Sequence, residues 1–80
     1  MGAGDEFVDV GACVIEAVSD KAILAGFERL DAPVWIPKSQ MDEETVGELP
    51  DRAAVQKANN AFEMKALIVK QWIAEEKGLA

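Results

Sequence analysis

The chain of 80 residues contains no histidine and no tyrosine, and these absences remove the usual routes to acid–base catalysis near neutral pH. Its only serines are Ser19 and Ser39, so neither a Ser–His nor a Cys–His pair can be assembled. Ser19 falls in an expected turn. Ser39 follows Lys38, but neighbouring side chains on an extended chain point in opposite directions, which is the wrong geometry for a nucleophile and its base. An enzyme is therefore not expected. The single cysteine, Cys13, cannot form an internal disulfide, which fits a reducing compartment. Its place in an apolar run reads as a small buried hydrophobe, with nothing nearby to lower its pKa. Gly2, Gly4 and Gly11 precede or interrupt a strand and do not form a phosphate loop. Asp42-Glu43-Glu44 lacks the alternating ligands and central glycine of a calcium loop, so neither a metal nor a cofactor is expected. No run approaches the length that crosses a bilayer. The first six residues are neither basic nor followed by a long apolar stretch, so a signal peptide is not expected and a cytoplasmic location is.

What is present is apolar bulk and negative charge. Hydrophobic residues make up 50% of the chain, enough for a folded domain rather than a disordered tail. The length allows one domain with a modest core. Fifteen acids against eight bases give a net charge of −7. That balance repels nucleic-acid phosphates and anionic membranes and is complementary to a basic protein surface.

The apolar pattern divides the chain. Residues 1–6 read as a loose lead-in and residues 7–37 as a β-meander. Phe7 to Val18 is expected as one strand, with Val8, Val10, Ala12 and Val14 alternating with Asp9, Gly11 and Cys13, and with Gly11 as a bulge or bend. Ser19-Asp20-Lys21 is a turn into a second strand, Ala22 to Phe27. Val34-Trp35-Ile36 forms a third, and Pro37 places it at an edge or ends it. Three such strands suggest a small antiparallel sheet of the SH3 or OB kind. Residues 38–50 form an acidic connection with at most a short helical turn. Residues 51–78 are mainly helical. Asp51 can cap a helix in which Val55, Ala58, Phe62, Ala66, Val69 and Ile73 recur at spacings of three and four, ended by Gly78. A competing reading breaks this helix at Asn59-Asn60, with a strand within 63–69 and a short helix around Trp72. The fold class is thus α+β, a small meander followed by one or more C-terminal helices.

Two sets of residues are candidates for contact. The first is acidic: Asp42, Glu43, Glu44, Glu48 and Asp51, with Glu28 and Asp31 on a loop. Spaced carboxylates of this kind compete with phosphates for a cationic groove, although many small domains carry as much charge for solubility alone. The second set is Lys21, Trp35 and Lys38, which could stack on and neutralise a single-stranded nucleic acid. Against it, a Trp between Val and Ile is more often core, and the overall charge is unfavourable.

At Lys21-Ala22-Ile23-Leu24, at Val34-Trp35-Ile36-Pro37-Lys38-Ser39-Gln40 and at Trp72-Ile73-Ala74-Glu75-Glu76-Lys77-Gly78-Leu79, the chain resembles a small β-module of phage and other mobile-element proteins. The resemblance covers most of residues 8–40 and the last ten residues. Residues 48–62 depart from it and read as an added helix. It implies a fold but not an activity. In profile, as a short acidic chain without catalytic groups, the protein also resembles anti-CRISPR inhibitors. Some of those block the DNA-binding surface of an RNA-guided complex, which holds nucleic acid in positively charged channels. The resemblances imply an inhibitor and partial DNA mimic in the bacterial host cytoplasm, bound to a basic host protein or ribonucleoprotein. A single-stranded nucleic-acid accessory module and a structural or assembly protein are the alternatives.

Overall fold

The computed structural model describes residues 6–79, so the expected lead-in lies outside the described residues except for Glu6. Nine elements follow in order: β1 (Phe7–Asp9), β2 (Cys13–Val18), β3 (Ala22–Gly26), β4 (Val34–Pro37), α1 (Glu43–Glu48), α2 (Arg52–Lys57), β5 (Phe62–Met64), β6 (Ile68–Lys70) and α3 (Gln71–Glu76). A 3-10 turn at Lys38–Gln40 joins β4 to α1. The architecture is α+β, as the sequence pattern implies. All strand pairs are antiparallel, in a four-stranded sheet ordered β4-β3-β2-β5 and a two-stranded sheet ordered β1-β6. The sheets do not close into a barrel. The Val10 amide donates to the Leu67 carbonyl at 2.9 Å, one rung beyond the β1–β6 ladder, and Met41, just past the 3-10 turn that follows β4, bridges Val69 of β6.

The expected first strand is two strands, and Gly11 is the reason. Its φ is +88°, a left-handed conformation that glycine adopts without the Cβ penalty, and its amide donates to Asp9 Oδ1 at 2.8 Å. The turn resets the alternation. Val10 is buried, Ala12 is exposed, and beyond the turn Cys13 and Ile15 face the core while Val14 turns away. A second irregularity follows. Ile15 pairs with Ala25 but Ala17 pairs with Leu24, so Glu16 is an extra residue in a β-bulge. The bulge leaves Ala17 on the outer face and returns Val18 to the core side, opposite Ile23.

The β2–β3 hairpin closes over Asp20 and Lys21. The Ser19 amide donates to the Ala22 carbonyl at 2.8 Å, and Ser19 Oγ accepts from the Ala22 amide at 3.0 Å. The β4 strand is an edge, as its proline requires. The Lys38 amide donates to the Lys21 carbonyl at 2.8 Å, and the register pairs Ile23 with Ile36 and Leu24 with Trp35. By alternation, Val34 and Ile36 bond inward while Pro33, Trp35 and Pro37 turn their backbones away from the sheet. Pro37 therefore removes no ladder bond, and the free edge keeps one backbone donor, at Trp35.

The continuous helix over 52–77 does not form. Asn59 and Asn60 both have left-handed φ values, 58° and 59°, which Asn tolerates better than most residues. The Asn60 amide folds back onto the Val55 carbonyl at 2.8 Å and stops α2. The segment expected to be either helix or strand is then two short strands, β5 and β6, before α3. The helical spacing in the sequence arises because Val55, Val69 and Ile73 are all buried, each by a different element. The end of α3 matches its sequence signal. Gly78 has φ +76°, its amide donates to the Glu75 carbonyl at 3.2 Å, and the Leu79 amide donates to the Ala74 carbonyl at 2.7 Å. This is a Schellman termination with Leu79 and Ala74 both buried.

The core is aliphatic, built around Ile15, Ile23, Ile36, Leu67 and Val69, all with no exposed surface. Two glycines separate conformational need from filler. Gly11→Ala is expected to lower unfolding free energy by about 1–2 kcal/mol, because alanine resists the left-handed region. A Cβ at Gly47, within α1, meets nothing within 4 Å, so Gly47→Ala is expected to raise stability by about 0.5–1 kcal/mol. Urea unfolding of the two variants measures both, and equal effects of the same sign would contradict these backbone assignments.

Candidate functional site

The acidic set is divided between the two ends of the four-stranded sheet. Asp42, Glu43, Glu44 and Glu48 lie on or just before α1, which is longer than the single turn expected of this connection. The helix is held by its one buried residue: Thr45 Oγ1 accepts from the Ile68 amide at 3.3 Å. The Asp42 amide donates to the Ile68 carbonyl at 3.1 Å, while the Asp42 side chain makes no cap bond. Glu43 and Glu44 in the first turn suit the helix dipole, but Glu48 lies at the end that favours cations, and no base occupies the last turn. Glu44 and Glu48 are also like charges at i,i+4, a repulsion of about 0.2–0.5 kcal/mol.

Asp51 has a structural occupation. Its Oδ1 accepts from the Ala54 amide at 2.8 Å and caps α2, as its sequence position implied. Glu28 and Asp31 are in the β3–β4 loop, at the Gly26 end of β3. The α1 region borders the other end, where Lys38, Leu49, Pro50 and Asp51 share a hollow with Ser19 and Asp20. The length of β3, roughly 15 Å, separates the two acidic groups.

Two acids outside the candidate set join Glu28 and Asp31. Glu63 pairs with Val14 across β2–β5, and Glu16 is the bulge residue. A Cβ on Gly26 would stand 2.7 Å from Glu16 Oε2, so this carboxylate lies over the Gly26 backbone. Glu28, Glu63, Arg29 and Lys65 border a cleft of about 470 Å³, with Phe27 and Met64 among its apolar lining. The sequence signal for Glu16 and Glu63 was strand parity, which the bulge and the competing helical reading across β5 concealed.

Arg29 is not a free cation. Its Nη1 donates to the Leu79 carbonyl at 2.7 Å and its Nη2 to the Val10 carbonyl at 3.3 Å, which ties the β3–β4 loop to both ends of the chain. Among the described residues the single ion pair joins Lys77 to Glu76 at 3.9 Å. None of the seven candidate acids is therefore neutralised by a described base.

The Lys21, Trp35 and Lys38 set is joined in backbone but not in surface. Trp35 is 47% exposed and projects from the outer face of the sheet with Leu24. Lys38 lines the hollow beside Ser19 and Asp20 instead. A second exposed tryptophan, Trp72, lies on α3 outside both candidate sets, and its Nε1 donates to Gln40 Oε1 at 3.2 Å. Lys38 and Ser39 lie in a 3-10 turn and not on an extended chain, and Ser39 Oγ accepts from Gln40 Nε2 at 3.2 Å.

Among the described residues, no three acidic or thiol side chains converge to hold a metal ion, and no helix is long and apolar enough to cross a membrane. No protein-family model matches the chain, and neither a curated protein nor a solved structure matches it.

Cys13 is 4% exposed, and burial pushes its thiol pKa up from 9.0 to about 11. The thiol thus stays protonated in the fold at a pH where the unfolded chain ionises. Stability is expected to fall as pH rises from about 9 towards about 11, since over that range the unfolded state binds fewer protons than the native state. In the native protein at pH 8, the thiol is expected to resist a thiol-specific reagent until denaturant is added. Rapid native-state labelling would contradict this assignment.

Proposed function

We propose that this protein is a non-enzymatic contact protein that presents Asp42, Glu43, Glu44 and Glu48 to a cationic surface of a nucleic-acid-binding host complex. One observation carries the reading: α1 holds these carboxylates without a neutralising base, against i,i+4 repulsion and with an acid at its negative end. A helix with that internal penalty is stabilised by any partner that supplies positive charge. Such a partner binds α1 in place of phosphates, which is the mode of a partial DNA mimic and of a phage- or mobile-element-type inhibitor. The positively charged channel of an RNA-guided effector is one surface of this chemistry. Glu28, Asp31 and Asp51 are not needed for this contact. The first two sit at the other end of β3, and the third caps α2.

A single-stranded nucleic-acid module is less well supported, because Trp35 and Lys38 line different surfaces. The two readings are separable with the wild-type protein and two variants. In capture from a bacterial lysate, the wild type is expected to retain nucleic-acid-binding proteins at low salt and lose them at high salt. Reversal of Asp42, Glu43 and Glu44 to lysine should abolish that capture. Unchanged capture and an unchanged salt response by the triple variant would sink the electrostatic reading. A mobility shift of a short single-stranded oligonucleotide that disappears in Trp35→Ala would establish the nucleic-acid module in its place.

A further inference from the structure

The four-stranded sheet has one closed face and one open face. Ile15, Ile23, Ala25 and Ile36 are buried on the inner side. By alternation, Val14, Ala17, Ala22, Leu24, Trp35 and Pro37 line the other. At one margin of this face Glu16 and Ala17 share a hollow with Arg52, Val55 and Gln56 of α2. The α2 helix runs along β2, where Arg52 Nε donates to the Val18 carbonyl at 3.2 Å, α3 packs on β1 and β6, and α1 meets β6 through Thr45. The small side chains Ala17 and Ala22, with Gly26, keep the floor low between Val14, Leu24 and the exposed indole of Trp35. With Trp35 exposed and the others half-buried, the result is an apolar patch on a protein that is otherwise rich in charge.

Its rim is anionic. The bulge keeps Glu16 on this face, folded over Gly26, and Glu63 stands beside Val14. Glu28 and Asp31 close the loop end, where the cleft floored by Phe27 and Met64 opens. Of the bases bordering these acids, Arg29 is committed to the Leu79 and Val10 carbonyls, Arg52 beside Glu16 bonds the Val18 carbonyl, and Lys65 remains on the rim.

Charge complementarity selects the occupant. A second copy would bring the same carboxylates against this rim, with a net charge of −7 on each chain. A nucleic-acid strand could stack on Trp35, but its phosphates would meet Glu16 and Glu63. A neutral apolar segment would cover the floor and leave the rim acids desolvated and unpaired. We propose that this outer sheet face docks a basic amphipathic segment of a partner protein. Its apolar side chains rest on Val14, Leu24 and Trp35, and its Lys or Arg side chains reach Glu16, Glu63 and Glu28. The surface is distinct from α1 and does not depend on the role proposed for that helix.

The test uses Trp35 as its own reporter. In the full chain carrying Trp72→Phe, Trp35 is the sole indole. The probe is a leucine–lysine amphipathic helix of about 18 residues, with its leucine–glutamate counterpart as control. The lysine probe is expected to give a saturable blue shift of Trp35 emission, and the glutamate probe none. Leu24→Glu and the isosteric pair Glu16→Gln with Glu63→Gln should each weaken binding by about tenfold or more. Far-UV circular dichroism checks the fold of Leu24→Glu, and the isosteric pair decides the matter if that variant unfolds. Reversal of Asp42, Glu43 and Glu44 should leave the shift in place, so failure here and failure of the α1 reading are distinguishable. The proposal is overturned by equal response to both probes, by insensitivity to the outer-face substitutions, or by loss of the shift on the α1 reversal. A shift produced by a short oligonucleotide alone would assign the face to nucleic acid. A dimer in sedimentation whose Trp35 emission is already blue-shifted without probe would assign it to a second copy.

Discussion

The three residues of β6 hold β1, α1 and α3 in place. Val69 is fully buried, pairs with Val8 on one side and bridges Met41 on the other. Ile68 offers its carbonyl to the Asp42 amide and its own amide to Thr45 Oγ1, so the start of α1 is fastened at both groups of one residue. One residue beyond β6, the Gln71 amide takes the Glu6 carbonyl at 2.7 Å and α3 begins. None of the strands exceeds six residues, and none of the α-helices does. Helices of that length are marginal alone in water, so each depends on a neighbour it meets through the core. A central strand with partners on both edges supplies that neighbour for β1, α1 and α3 together.

The legible parts of the sequence were those governed by local chemistry. The Ser19-Asp20-Lys21 turn, the edge position enforced by Pro37, the Asp51 cap and the glycine stop at Gly78 all follow from one or two residues acting on adjacent backbone. The parts that misled were governed by distance. Val55, Val69 and Ile73 recur with a helical period because three different elements send them into one core. The sequence holds the period but not the break, apart from the Asn59-Asn60 pair. Strand parity failed at Gly11 and again at Glu16, where one turn and one extra residue each exchanged the faces. Those two slips hid the outer sheet surface. They put Ala12 and Val14 on the side of Val8 and Val10, left Ile15 unassigned, and separated Glu16 and Glu63 from the acids they join, although Cys13 is buried as its apolar setting implied. The acidic candidates on α1 were legible as a run, but not their division from Glu28 and Asp31, which requires the direction of β3.

Charge and packing are apportioned differently in this protein. Interior contacts are almost wholly aliphatic, and Thr45 is the only buried polar residue among those described. Of the charged groups with defined hydrogen bonds, Arg29, Arg52, Asp9 and Asp51 bond to backbone and Glu75 accepts from Gln71 Nε2, so none bonds to another charge. Surface ion pairs contribute little to stability in general, and here they are nearly absent among the described residues. The carboxylates are consequently free of internal obligations over most of the surface. Their desolvation on binding is met by whatever charge a partner brings, without first breaking a pair at home.

The proline-flanked edge of β4 bears on how this protein behaves at high concentration. Short sheets with open margins can template one another into fibres, each new chain adding a rung through its main-chain groups. Pro33 and Pro37 leave that margin with too few donors to seed a rung, and the bulky indole between them stands out of the sheet plane. Self-association by strand addition is thereby discouraged at this end, and the chain can carry an exposed tryptophan beside an apolar surface without recruiting copies of itself through its backbone. A sheet that cannot polymerise from this edge is free to keep a sticky face.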